Sequence, residues 1–128
     1  MKPERVMGIA SILIALGIGV GALGAHALQQ VLSTQQLHSL DTAVDYQLFN
    51  ALGLLAVGLL MKNTSLHGLR TVALLLMSGI VAFSGGIYLM LAGAPKPLGL
   101  VTPCGGVALI LAWLMLAWRL LILPPRYP

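Results

Sequence analysis

Long apolar runs broken by short polar connections dominate the chain. Four of them, at about residues 6–25, 43–61, 70–92 and 101–121, reach the roughly 20 residues that a helix needs to cross a hydrocarbon core of about 30 Å. The pattern predicts four membrane-spanning helices. The first run, VMGIASILIALGIGVGALGA, carries no charge, and Gly17, Gly21 and Gly24 place a small-residue strip along it at helical spacing. Such strips let a second membrane helix approach closely. The next segment, HALQQVLSTQQLHSL, is polar with recurring Leu and Val, which predicts an interfacial helical turn and then a new start. Ser33 and Gln36 have the spacing of a capping box, so the second helix is expected over about 35–61. KNTSLHG turns the chain, with Ser65 the expected N-cap of a third helix over about 66–92. GAPKPLGL is broken by Pro95 and Pro97. Thr102 and Pro103 read as N-cap and first-turn proline of a fourth helix over about 102–122. LPPRYP then stops it, because consecutive prolines remove donors and clash with a helical path. The expected fold is an all-α integral membrane protein, a compact four-transmembrane-helix bundle forming one domain over residues 1–128.

Composition excludes the soluble alternative. Hydrophobic residues make up 59% of the 128 and charged residues 8%, too few charges to solvate the exterior of a water-soluble domain. No polar connection approaches the roughly 50 residues of a separate domain. Cys104 is the single cysteine, so an internal disulfide and a cysteine metal centre are both excluded. Lys2, Arg5, Lys62, Arg70, Arg119 and Arg126 fall on one side of a four-span arrangement and only Lys96 on the other. The positive-inside rule then puts both termini and the middle loop in the cytoplasm. Ala25-His26-Ala27 after a basic start also resembles a signal cleavage site. The apolar run exceeds the roughly 7–15 residues of a signal core, so the first helix is read as retained. Trp118 beside Arg119 suits a cytoplasmic interface anchor, and Trp113 lies too deep for that role and reads as packing.

With this orientation every chemically interesting segment falls in the outer half, and the inner half is Leu, Val, Ile, Ala and Met almost throughout. On the second helix Thr42, Tyr46 and Asn50 form one stripe at i, i+4, i+8, and His38, Asp41 and Asp45 a neighbouring one. Gln47 points away from both, which implies that the polar end of this helix is surrounded by protein. Ser84 and Tyr88 are four apart on the third helix, next to Gly85 and Gly86, and Gly105 and Gly106 follow Thr102 on the fourth. These glycines read as close helix packing; exposed amides holding an anion are the less favoured reading of the Gly105-Gly106 pair. The candidate cluster or pocket is therefore His26, Asp41, Thr42, Asp45, Tyr46, Gln47, Asn50, Ser84, Tyr88 and Thr102. His26 has Asp41 or Asp45 as a candidate partner, and His38 and His67 read as surface residues. A structural hydrogen-bond network is the favoured role for the cluster; a binding pocket or proton-accessible site is the alternative, because intramembrane ionisable groups often mark one. No nucleophile–base pair, phosphate loop, nucleotide fingerprint or tight two-histidine metal motif occurs. No enzymatic activity, cofactor, metal or nucleic-acid partner is expected; the expected partners are membrane lipids and a membrane protein or a second copy of the chain.

The motifs GALGAHAL, TAVDYQ, FSGGIYL and TPCGG, in this order and spacing, resemble the small bacterial membrane-protein family known as domain of unknown function 423, related to eukaryotic transmembrane protein 256. The resemblance covers nearly the whole chain and implies four-helix inner-membrane proteins without an established activity. Its pattern falls on Gly24, Ala25 and His26, on Thr42, Ala43, Tyr46 and Gln47, on Phe83, Ser84, Gly85 and Tyr88, and on Thr102, Pro103, Gly105 and Gly106. Two positions depart from it: Asn50 stands where the family often has histidine, and Gly86 where it often has serine. An amide does not titrate, so proton transfer through position 50 is excluded and a hydrogen-bonding role is favoured. The function expected from all this is a non-enzymatic accessory or assembly factor of a membrane complex, with a small-molecule, lipid or proton binder or carrier as the alternative.

Overall fold

The computed structural model describes residues 1–123, 126 and 127. Four helices follow one another: α1 (Pro3–Ala25), α2 (Thr34–Asn63), α3 (Leu69–Leu91) and α4 (Val101–Ile122), with short 3-10 turns at Ala27–Gln30 and Lys96–Leu100. All four are long and apolar enough to cross a membrane. Pro3 opens α1, where its missing N–H has no intrahelical partner to lose. At the start of α2 the Gln36 N–H donates to Ser33 Oγ (3.1 Å) and the Ser33 N–H donates to Gln36 Oε1 (2.9 Å), closing the expected capping box.

Two expected starts differ. Ser65 does not cap α3; Gly68 does, at φ +89°, a left-handed conformation that favours glycine. Thr64 takes the polar role in this turn, its hydroxyl donating to the Leu60 carbonyl (2.8 Å) and accepting from the Leu66 N–H (3.4 Å). Nor does Thr102 cap α4. The turn Lys96–Leu100 runs straight into the helix, Leu100 at the cap position is already right-handed, and Thr102 and Pro103 sit inside the first turn. The described part of α4 ends at Ile122; of the expected LPPRYP stop, Pro124, Pro125 and Pro128 lie outside the described residues.

Packing follows chain order: α1 lies on α2, α2 on α3 and α3 on α4. The two central helices are therefore the most enclosed, and α1 and α4 keep most of their apolar surface outward. Arg5, Lys62, Arg70 and Arg119 share one end, termed the basic end, where Lys62 Nζ lies 3.8 Å from a Glu4 carboxylate oxygen. That pair is more than half exposed on both sides and contributes little in water. The core runs from this end to mid-span through Val6 and Ala10, Leu54 and Val57, Val72 and Leu76, and Leu109 and Ala112. Towards the far end it gives way to polar side chains.

Candidate functional site

The far half of the interior holds three buried polar residues, Gln47, Asn50 and Ser84. Each carries a bond between helices. Gln47 Nε2 donates to the Leu13 carbonyl of α1 (2.7 Å), and its Oε1 accepts from the Tyr88 hydroxyl of α3 (2.7 Å). One amide thus ties three helices, a task that requires a group able to donate and accept at once. Ser84 Oγ donates to the Ala43 carbonyl (2.7 Å), joining α3 to α2. Asn50 Nδ2 donates to the Tyr46 carbonyl of its own helix (2.9 Å), leaving Oδ1 to accept from Trp113 Nε1 of α4 (2.8 Å). Among the described residues no buried side-chain nitrogen or oxygen lacks a partner. Inside a membrane such bonds replace the directional information that apolar contact does not supply.

The polar end of α2 is therefore enclosed on one side only, which corrects the expectation that protein surrounds it. Gln47, which the spacing turns away from both polar stripes, points into the bundle and bonds two neighbouring helices, whereas Asp41 and Asp45 are exposed on the outward side of α2. The amide finds an acceptor, the Leu13 carbonyl, and a donor, the Tyr88 hydroxyl, on neighbouring helices; an ionised carboxylate only accepts and could not bond that carbonyl. The stripe of Thr42, Tyr46 and Asn50 splits likewise. Asn50 is buried, Tyr46 is half exposed with its ring against Phe83 (centroids 4.8 Å apart), and Thr42 donates to the His38 carbonyl of its own helix (3.1 Å). His26 is exposed, and among the described residues it forms no ion pair or side-chain hydrogen bond with Asp41 or Asp45. His38 and His67 are exposed as expected. Of the candidate cluster, Gln47, Asn50, Ser84 and Tyr88 come together; His26, Asp41 and Asp45 do not join them. Trp113, read from sequence as packing alone, proves to be a hydrogen-bond donor to the cluster.

Glycines set how closely the helices approach. A Cβ on Gly17 would lie 2.8 Å from Leu48, one on Gly24 2.7 Å from Leu40, and one on Gly21 3.3 Å from Val44, so the α1 strip meets α2 as expected. Gly86 faces Thr102, where a Cβ would stand 2.5 Å from Oγ1, and a Cβ on Gly105 would collide with the backbone of Ala82 and Phe83. Gly106 meets only the Phe83 ring at ordinary distance, and Gly85 faces open space, which corrects its expected packing role. Three close-contact glycines escaped the sequence reading: Gly53 under Trp113, Gly58 under Met7, and Gly79 under Leu109. Their signal was the helix cost of an interior glycine, about 1 kcal/mol relative to alanine, which calls for a packing reason.

Three recesses open at the surface of this half. One, of about 530 Å³ at the far end, is lined in part by His38, Ser39, Thr42 and Thr102. A second, of about 470 Å³, is an apolar groove between α2 and α4, lined by Tyr46, Phe49, Phe83, Ile110 and Trp113 among others. It adjoins the third, of about 320 Å³, bounded by Asp45, Tyr46 and Phe49.

Comparison with known proteins places this architecture. A family model described as "Protein of unknown function (DUF423)" matches residues 20–106, which include the whole polar layer except Leu13 and Trp113. A UPF0382 membrane protein of Staphylococcus saprophyticus is 40% identical over 116 residues, covering 91% of this chain and 94% of the relative. The UPF0382 membrane protein YwdK of Bacillus subtilis is 37% identical over 117 residues, covering 91% and 94%. One from Staphylococcus epidermidis is 38% identical over 116 residues, covering 91% and 93%. No solved structure matches the chain. With four apolar helices spanning the same length as relatives named membrane proteins, the chain belongs to the DUF423 family of membrane proteins, whose function is unknown.

Proposed function

We propose that the protein is a non-enzymatic accessory or assembly factor of a larger complex in the bacterial inner membrane, with both termini and the α2–α3 loop in the cytoplasm. The observation that carries this reading is the commitment of the polar interior: Gln47, Asn50, Ser84 and Tyr88 are all spent on bonds between or within helices. A carrier acting through that cluster would have to break those bonds to bind anything, so this alternative has less support. What remains for interaction is the outward surface. On α1, Gly8, Ser11, Ala15, Gly19 and Ala22 are exposed at spacings of three and four, and nothing lies within 4 Å of a Cβ at Gly8 or Gly19. This stripe is separate from the Gly17–Gly24 strip that holds α2, and it has the small-residue form that membrane helices use to pack against a partner.

Native mass spectrometry of the protein released gently from its own membrane tests the reading. The wild type is expected to carry a reproducible protein partner, and Gly8→Leu/Gly19→Leu to lose it while keeping wild-type helicity, since both side chains enter open space. A wild-type protein that stays alone even after crosslinking in the membrane overturns the reading. The orientation is checked separately by labelling single cysteines near residue 64 and residue 96 in intact cells, in a Cys104→Ser background; a label reaching residue 64 but not 96 from outside refutes it.

A further inference from the structure

The outward face of α2 carries a carboxylate below the far ends of the helices beside it. Asp45 adjoins Val44, which packs at Gly21 of α1, and Ala43, which is bonded to Ser84 of α3. At 1.5 Å per residue, those levels lie roughly 6 Å below the far end of α1 and roughly 10 Å below that of α3. Asp45 is nevertheless exposed, on the same face as Phe49 and Leu52, which are 70% and 58% exposed. Among the described residues the one ion pair, Lys62 with Glu4, is at the opposite end, so Asp45 has no cation from its own chain.

Tyr46 and Phe49 flank Asp45 in one recess, and the same two rings continue into the apolar groove floored by Phe83 and Trp113. Aromatic faces attract ammonium groups, and the attraction grows where water is excluded. The groove spans Gly106 to Leu114 along α4, eight residue steps or roughly 12 Å parallel to the helices. Its length and apolar lining suit a hydrocarbon chain lying along the bundle. Because it opens outward from four membrane-spanning helices, the molecules that meet it are lipids.

We propose that the groove between α2 and α4 seats a membrane lipid whose headgroup ends in an ammonium, the ammonium resting on Asp45 between Tyr46 and Phe49 and one acyl chain running over Phe83 and Trp113. A second copy docking by this same face would bring two Asp45 carboxylates towards each other, which disfavours that occupant. An anionic lipid without an ammonium is repelled by the carboxylate. The ammonium lipid supplies both the missing charge and the apolar body. The site does not depend on membership in a complex, and it is tested on the purified protein alone.

The test uses the full chain with Trp118→Phe, so that Trp113 is the remaining tryptophan, reconstituted in phosphatidylglycerol vesicles. Phosphatidylethanolamine or phosphatidylglycerol with brominated acyl chains is then added at equal mole fraction, and bromine quenches the indole it touches. Brominated phosphatidylethanolamine is expected to quench Trp113 with about two- to fivefold higher apparent affinity, the ratio that a partly exposed charge pair supplies. Asp45→Asn is expected to abolish the preference with helicity unchanged, and Asp45→Glu to keep it, so an unfolded Asn variant would not leave the question open. Equal quenching by the two lipids, a preference that survives Asp45→Asn, or protection of Trp113 from both lipids by a second copy of the chain would each overturn the proposal.

Discussion

Replacing Gln47 by methionine removes the amide that ties three helices while keeping an unbranched side chain of similar length. Two bonds are lost, the 2.7 Å donation to the Leu13 carbonyl and the 2.7 Å acceptance from Tyr88. Interhelical hydrogen bonds in membrane proteins average about 0.6 kcal/mol, with a maximum near 1.7 kcal/mol, so the expected loss is about 1–2 kcal/mol. It is not larger because the Leu13 carbonyl lies within α1 and keeps its helical partner, leaving Tyr88 as the one group orphaned. Tyr88→Phe removes only the second bond and is expected to cost about 0.6 kcal/mol. The double variant should fall short of the sum by roughly that same amount, because the two residues share one interaction. Reversible unfolding in mixed dodecylmaltoside and dodecyl sulfate micelles, followed by far-ultraviolet circular dichroism, reads all three values. Strict additivity, or a Gln47→Met protein as stable as the wild type, would refute the assignment of Gln47 as the interior tie.

Glycine substitutions separate tight from open contacts in the same assay. Gly105→Ala forces α4 away from the α3 backbone at Ala82 and Phe83 and should cost about 1–3 kcal/mol, whereas Gly85→Ala enters open space inside α3 and should stabilise by up to about 1 kcal/mol through helix propensity alone; effects of the same sign and size would contradict the packing described for the α3–α4 contact. Gly68 and Gly93 both have positive φ, +89° and +93°, but only Gly68 has a neighbour, with Arg119 Nε 3.0 Å from a Cβ there. Gly93→Ala should therefore show the backbone strain alone, about 1 kcal/mol, and Gly68→Ala should exceed it; the reverse order would show that Arg119 yields freely.

Hydropathy made the four helices legible, because a span must be apolar over its whole length wherever its neighbours stand. The α2 capping box was legible for the opposite reason: it closes within four residues and needs nothing distant. The starts of α3 and α4 were not, since both depend on backbone that sequence leaves open: a left-handed Gly68, and a 3-10 turn that flows into Val101. Helical spacing also set Gln47 on the side of α2 away from Asp41 and Asp45 but gave no way to know which side faces inward, and the Thr42, Tyr46 and Asn50 stripe straddles the boundary. In a water-soluble helix the polar face turns to solvent and the apolar face to the core, which settles the question. Here both sides of α2 carry polar groups, and the inward face is decided by which of them find complementary partners on α1, α3 and α4.

That criterion divides the polar residues of the far half into two sets with different work. Gln47, Asn50, Ser84 and Tyr88 have donors and acceptors matched across helix contacts, so substituting them should change stability first and any activity through it. Asp41 and Asp45 face outward without a cation partner among the described residues, so substituting them should leave the fold intact and change only what the surface meets. The sequence stretch TAVDYQLFNAL holds both sets because one helical turn presents Asp45 outward and, two residues on, Gln47 inward. A carboxylate costs free energy facing lipid, while an asparagine or glutamine at position 45 would cost less and pack as well. Its presence on a face that the fold does not use is the best single pointer to where this membrane protein makes contact with something else.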